Sequence, residues 1–255
     1  MSNLSVTTLY SGSKGNSIFV RAGNTNILFD AGLSCGALCK SLNSIGVSPH
    51  DLNSVFITHE HSDHVSALDV FSKHYSVPIH MTDQSYHGIK CNRQVSILHD
   101  PLYSISFDDC EISSFITPHD SRMSVGFIIR TDFGNIGIAT DLGYIPDEII
   151  ETLSYCDTII LESNHDEEML INGPYPPSLK KRILSDFGHL SNKSCAEAAC
   201  YLASCGTKNI MLAHLSEHNN TPELAYTETR KKLDSLGYSF VNLKVASGCS
   251  PTVMI

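Results

Sequence analysis

Four metal-binding side chains, His59, His61, Asp63 and His64, fall within six consecutive positions directly after the apolar run SVFIT. No other feature limits the fold as strongly. The run reads as a strand ending at Thr58, and loops at strand ends carry function on a rigid scaffold. In extended chain, residues two apart point the same way, so His59 and His61 can hold one ion together. Asp63 and His64 lie where the chain turns into an amphipathic helix carrying Val65, Leu68 and Phe71, and that turn can aim them at a second ion. Imidazole and carboxylate donors suit zinc and tolerate manganese or iron. The bland alternative is a polar loop that happens to be rich in histidine.

Four more residues repeat the pattern of a polar group after an apolar strand. Asp30 follows NILF, His119 follows SSFITP, Asp141 follows IGIAT, and His214 follows IMLA. A single histidine of this kind is more often structural. Four converge on one edge if the strands align.

The remaining elements support such an alignment. Strands are predicted at 4–10, 17–21, 26–30, 54–58, 95–98, 103–107, 111–117, 124–131, 135–140, 157–161 and 209–212, and helices at 34–45, 146–155 and 194–204. Ser34 reads as an N-cap and Gly46 as a left-handed C-terminal residue. Ser194 with Glu197 fits a capping box, and Thr221-Pro222 an N-cap followed by proline. GPYPPS at 173–178 reads as a rigid surface loop. Strand runs flanked by helices in both halves predict an α/β four-layer αββα sandwich over 1–255 as a single domain.

With 17 basic against 27 acidic residues, the net charge of −10 argues against a wide basic surface for nucleic acid. Two divalent ions would add four positive charges in one cleft and reverse the sign locally. Nine scattered cysteines without a CxxC pair, no secretory start and no membrane-length apolar run predict a cytoplasmic protein with reduced thiols. Cys35 and Cys39 share a helix face, which reads as packing. Nothing in the sequence fixes an oligomeric state.

HEHSDH, with Asp30, His119, Asp141 and His214 in that order, resembles the signature of the metallo-β-lactamase superfamily across essentially the whole chain. SGSKGNS, GHLSN at 188–192 and LAHLSEHNNTPELA at 212–225 are similar to its WalJ (YycJ)-like branch. The resemblance implies a first metal on His59, His61 and His119 and a second on Asp63, His64 and His214, with Asp141 bridging. It implies that Asp30 orients a histidine ligand, and that Asp63 and His189 serve catalysis. The complete set sets the chain apart from true β-lactamases. The short stretch from His119 to Asp141 has little room for the substrate arm of tRNA-processing relatives. The stretch from Asp141 to His214 is too short for a large nucleic-acid clamp domain.

Weaker candidates surround these residues. Ser13, Asn16 and Ser17 in the glycine-bearing GSKGNS can aim groups at an anion, or form a turn and nothing more. Lys180, Lys181, Arg182, Ser191 and Lys193 bracket His189 and can contact phosphate, although basic runs on helices are usually solvated faces. His165 and Asp166 read as a surface loop.

The expected activity is that of a dinuclear phosphodiesterase, an exonuclease-like enzyme acting on single-stranded DNA or RNA. Two divalent ions about 3.5–4 Å apart would share a hydroxide, and His189 would protonate the leaving oxygen. A thioesterase or lactonase, a cyclic-phosphodiester hydrolase, and a metal-stabilised binding module without turnover are the alternatives.

Overall fold

Residues 3–255 are described by a computed structural model. The first half runs β1 (Leu4–Tyr10), β2 (Ser17–Ala22), β3 (Thr25–Phe29), α1 (Cys35–Ser44), β4 (Ser54–Phe56), α2 (Ser62–Val65), α3 (Leu68–His74), β5 (Ile79–Thr82), α4 (Asp83–Tyr86) and β6 (Ser96–His99). The second half runs β7 (Ser104–Ser106), β8 (Glu111–Ile116), β9 (Val125–Arg130), β10 (Ile136–Ala139), α5 (Asp147–Leu153), β11 (Thr158–Glu162), α6 (Glu167–Asn172), α7 (Pro177–Ile183), α8 (Asn192–Ser204), β12 (Asn209–Ala213), α9 (Pro222–Ser235) and β13 (Asn242–Val245). β14 (Thr252–Val253) returns to pair with β1.

Each half forms most of one seven-stranded sheet, ordered β14-β1-β2-β3-β4-β5-β6 and β13-β12-β11-β10-β9-β8-β7. β3 through β6 are parallel, as are β10 through β13. Three apolar layers separate four layers of structure. Val6, Ile18, Phe29, Phe56, Phe127, Ile160 and Met211 fill the space between the sheets. Leu38, Leu42, Val55, Leu68 and Phe71 join the first sheet to α1 and α3. Leu153, Ile159, Leu161, Leu212 and Leu233 join the second sheet to α5 and α9. Strands covered on both faces lose the polar alternation of half-buried strands, which is why IIL at 159–161 and IMLA at 210–213 read as unbroken apolar runs. The architecture is the expected αββα sandwich.

Departures from the predicted boundaries have local causes. β3 stops at Phe29 because Asp30 turns left-handed at φ 60°. β4 stops at Phe56, and beyond it the Thr58 N–H donates to the Asp30 carboxylate at 2.9 Å. The helix after the histidines is broken into α2 and α3, since the Ala67 N–H donates to the Ala31 carbonyl at 2.9 Å. Ser34 caps α1 as expected, and Gly46 has φ 75°. The α8 cap is Ser191 rather than Ser194: its hydroxyl accepts from the Ser194 N–H at 3.2 Å. The supposed surface loop 173–178 gives its last two residues to α7, with Pro177 in the first turn.

A ladder of rings closes the sandwich at its β4–β6 side. Phe56 stacks on His80 at 4.5 Å, His80 on His99 at 5.2 Å, and His99 on Tyr103 at 4.1 Å. His80 Nδ1 lies 2.9 Å from His99 Nε2, so one ring donates and the other accepts. Burial, and then the neighbouring His99, lower the His80 pKa to about 4. Unfolding restores the ordinary value near 6.5, so the unfolded chain takes up the proton first as pH falls. Stability should therefore be complete above about pH 6.5 and decline towards pH 4. Denaturant unfolding of His80→Phe should show a flatter acid limb across that window; an unchanged limb would exclude the pair as its source.

Candidate metal centre

Because β3, β4, β10, β11 and β12 belong to parallel runs, the segments following them emerge on one edge of each sheet. β8 joins them, being antiparallel to β9, which is antiparallel to β10. Asp30, His59, His119, Asp141 and His214 all follow such ends. Asp30, Asp141 and His214 take left-handed backbone, with φ of 60°, 59° and 57°. This conformation costs a non-glycine residue about 1–2 kcal/mol and concentrates at functional sites.

His59, His61 and His119 place one ring nitrogen each within 4.8 Å of one another. Two of the outer nitrogens are occupied. His59 Nδ1 lies 3.0 Å from the Thr58 hydroxyl, and His119 Nδ1 donates to the Gly188 carbonyl at 3.1 Å. The inner nitrogens are left as acceptors: His119 Nε2 faces His61 Nδ1 at 3.2 Å, and His59 Nε2 is buried without a hydrogen-bond partner. Burial, and next the proximity of His64, push the His59 pKa well down, and burial lowers that of His119. Neutral rings with convergent lone pairs are the donor state a metal requires.

Asp63, His64 and His214 form a second such group. His64 Nδ1 donates to Asp30 Oδ2 at 2.8 Å, leaving Nε2 at 3.3 Å from both Asp63 Oδ2 and Asp141 Oδ2. His214 Nε2 lies 3.4 Å from Asp63 Oδ2. Burial opposes charge on His64 and His214, but Asp141 and the carboxylates beside it outweigh burial and raise both pKa values well above the ordinary range. Asp141 reaches both groups, with Oδ1 at 3.9 Å from His119 Nε2, while its buried Oδ2 accepts no hydrogen bond. His59 Nε2 and Asp141 Oδ2 are buried acceptors without a donor, which is costly unless a cation satisfies them. The donor set thus fits divalent metal on an observation of its own atoms.

The backbone locks these groups in place. The Asn16 N–H donates to the Asp63 carbonyl at 2.8 Å and the Ala31 N–H to the His64 carbonyl at 2.7 Å. A Cβ on Gly32 would sit 1.9 Å from the Asp63 carbonyl oxygen, so only glycine permits this approach.

Glu162, the last residue of β11, was not singled out from the sequence. It is fully buried, and its Oε1 lies 2.8 Å from both His189 Nδ1 and His214 Nδ1. Oε2 accepts from the backbone N–H groups of Leu142 at 3.0 Å and Leu190 at 3.2 Å. Burial alone would raise its pKa, but His189 and then His214 hold it down at about 2. Although Asp141, Glu162, His189 and His214 also cluster, the 2.8 Å contacts are hydrogen bonds, and Glu162 aims rings rather than serving as a metal donor. The signal available in the sequence was an acid inside the apolar run TIILES, which can be buried only if paired.

A cleft of about 220 Å³ opens onto His61, Asp63, Asp141, His189 and His214. Of the suggested phosphate contacts, Ser13 lines it. Asn16 is turned inward, its amide shared between the Gly12 carbonyl at 3.1 Å and Asp63 Oδ2 at 3.0 Å. Ser17 is buried and donates to the Asp30 carbonyl at 2.8 Å. Ser191 caps α8 and bonds Glu167 at 3.1 Å, while Lys193 lies exposed on α8, outside the cleft wall. Arg182 lines the cleft but forms a two-point ion pair with Asp120, and Lys180 donates to the Ile171 carbonyl at 2.7 Å. His165 is not on a surface loop: it is 1% exposed, and its neighbour Asp166 caps α6.

Several known proteins resemble this chain in sequence or fold. The family described as "Beta-lactamase superfamily domain" matches residues 25–215. Exodeoxyribonuclease YycJ of Bacillus anthracis is 33% identical over 241 residues, covering 92% of this chain and 91% of that protein. Exodeoxyribonuclease WalJ of Streptococcus pneumoniae serotype 2 (strain D39) is 35% identical over 225 residues, covering 86% and 84%. Among solved structures, the metallo-β-lactamase fold protein YhfI of Bacillus subtilis aligns with a TM-score of 0.74 at 16% identity, covering 99% of this chain and 100% of that one. The matched family span, together with the extent of the YycJ and WalJ likeness, places the chain in the β-lactamase superfamily, among the relatives of those two proteins.

Proposed function

We propose that the protein is a metal-dependent phosphodiesterase, a nuclease that degrades single-stranded DNA or RNA from an end. The observation that carries this reading is the pair of converging donor groups joined by Asp141, with His189 held beside them by Glu162. The names of the YycJ and WalJ relatives support nuclease chemistry over the carbonyl alternatives. His59, His61 and His119 would hold one ion, Asp63, His64 and His214 the other, and Asp141 both. The imidazole-rich donors favour zinc, with manganese or iron as substitutes. When bound, such ions lower the pKa of water and neutralise charge on phosphoryl oxygens.

The chain's own groups supply the rest. Glu162 fixes the His189 Nδ1–H, which leaves Nε2 as the nitrogen that passes a proton to the departing oxygen. Asp30 and Glu162 orient His64 and His214 through the ring nitrogens turned away from the metals. Nine free cysteines are consistent with a reducing, cytoplasmic setting, with 1–255 acting as one domain.

Asp141→Ala should remove activity and at least one bound ion, as read by elemental analysis of purified protein. Full metal content with full activity would sink the dinuclear reading.

His189→Ala should keep its metals and lose roughly 10²–10⁴-fold in rate, the usual contribution of a general acid. The loss should shrink for a p-nitrophenolate leaving group, which hardly needs a proton. Equal losses on nucleic acid and on the activated ester would rule out the acid role.

Glu162→Gln should differ from His189→Ala in one respect. Because the same oxygen also holds His214, this variant should weaken metal retention as well as turnover. Unchanged metal affinity in a chelator titration would show that Glu162 does not orient His214 for a metal.

A further inference from the structure

On the His119 side of the metal cleft lies a second cleft of about 370 Å³, with His119, Arg122, Tyr144 and Phe187 in its wall. Two large aromatic side chains stand open there, Phe187 at 59% exposed and Tyr144 at 47%. Both belong to segments that carry the chemistry. Tyr144 follows Asp141 by three positions, and Phe187 precedes His189 by two.

The two segments are laced into one wall. The Asp120 N–H donates to the Phe187 carbonyl at 3.0 Å, and the Gly143 N–H to the Pro118 carbonyl at 3.1 Å. A Cβ on Gly143 would lie 2.4 Å from the Ser185 and Asp186 carbonyl oxygens, so the loops touch backbone to backbone. Arg122 is exposed, and among the described residues no carboxylate lies within ion-pair distance of its guanidinium. Glu60 instead accepts from the Arg122 backbone N–H at 2.7 Å. Arg182, by contrast, is already neutralised by Asp120.

Open aromatic faces beside an unneutralised arginine are the means by which proteins hold single-stranded nucleic acid, by base stacking and phosphate contact. We infer that this cleft is a base-binding subsite: one nucleobase adjoining the scissile phosphate stacks on Phe187 and Tyr144, and Arg122 holds the neighbouring phosphate. The inference rests on the nuclease reading and adds the part of the substrate that the metals do not touch. His119, common to the metal group and to this wall, sets the two sites side by side.

The test is a cycle of protein and substrate changes on the metal-loaded enzyme. KM is measured on an oligonucleotide and on its counterpart abasic at the terminal positions, for wild type, Phe187→Leu and Phe187→Trp. Phe187→Leu should raise KM on the intact strand about ten- to a hundredfold, leave kcat within about twofold, and change nothing on the abasic strand. Phe187→Trp keeps an aromatic face and should restore the wild-type KM. Arg122→Ala should raise KM on both strands alike and reduce the salt dependence. If wild type cleaves both strands but Phe187→Leu impairs them equally, or impairs neither, the subsite is overturned while the nuclease reading stands. If wild type cleaves neither strand, the nuclease reading falls and the subsite with it.

Discussion

Three phenylalanines hold the two sheets together beneath the metal centre. Phe29 lies 5.6 Å from Phe56 and 5.1 Å from Phe127, and Phe56 lies 5.7 Å from Phe127. Phe29 immediately precedes Asp30, and Phe56 closes the strand that leads to Thr58 and His59. Phe127 comes from the other sheet. This contact sets the distance between sheets, and so the distance at which ligands from one sheet meet those from the other. Interiors pack at near-crystalline density, which makes such spacing a rigid property.

Above that contact, the outward edges of five histidines are already engaged. Thr58 meets His59, the Gly188 carbonyl meets His119, Asp30 meets His64, and Glu162 meets His214 and His189. With one nitrogen committed, the other is fixed in direction, and such outer partners tune how a site holds metal. The carboxylates are themselves restrained, Glu162 by two backbone N–H groups and Asp30 by Thr58. Local order of this kind explains how a chain of net charge −10 can present a site suited to a polyanion. Metal ions held there, with a few placed groups, would act where the bulk charge does not.

The left-handed residues at Asp30, Asp141 and His214 show where stability is given up. Each abandons β geometry within two residues of a strand end, which turns the Asp141 and His214 side chains into the cleft and sets Asp30 behind His64. Backbone strain of this sort persists only when the surroundings over-determine it. Here the surroundings are the covered parallel strands and the loops laced around Gly32.

The sequence by itself determined the local facts. HEHSDH after SVFIT, and single polar residues after NILF, SSFITP, IGIAT and IMLA, were legible because each is a short run whose meaning depends on its neighbours in the chain. The αββα class followed from the same strand and helix periodicities. What it could not decide was everything set by register between distant segments. Glu162 became the partner of His189 and His214, Asn16 and Ser17 turned inward, Ser191 became a cap, and His165 went under the surface. The exposed pair Tyr144 and Phe187 likewise came to line one cleft only when the 141–144 and 185–188 loops packed together. A hydrogen bond acts over about 3 Å, while most of these partners lie more than ten positions apart, so only the packed sheets could bring them within reach.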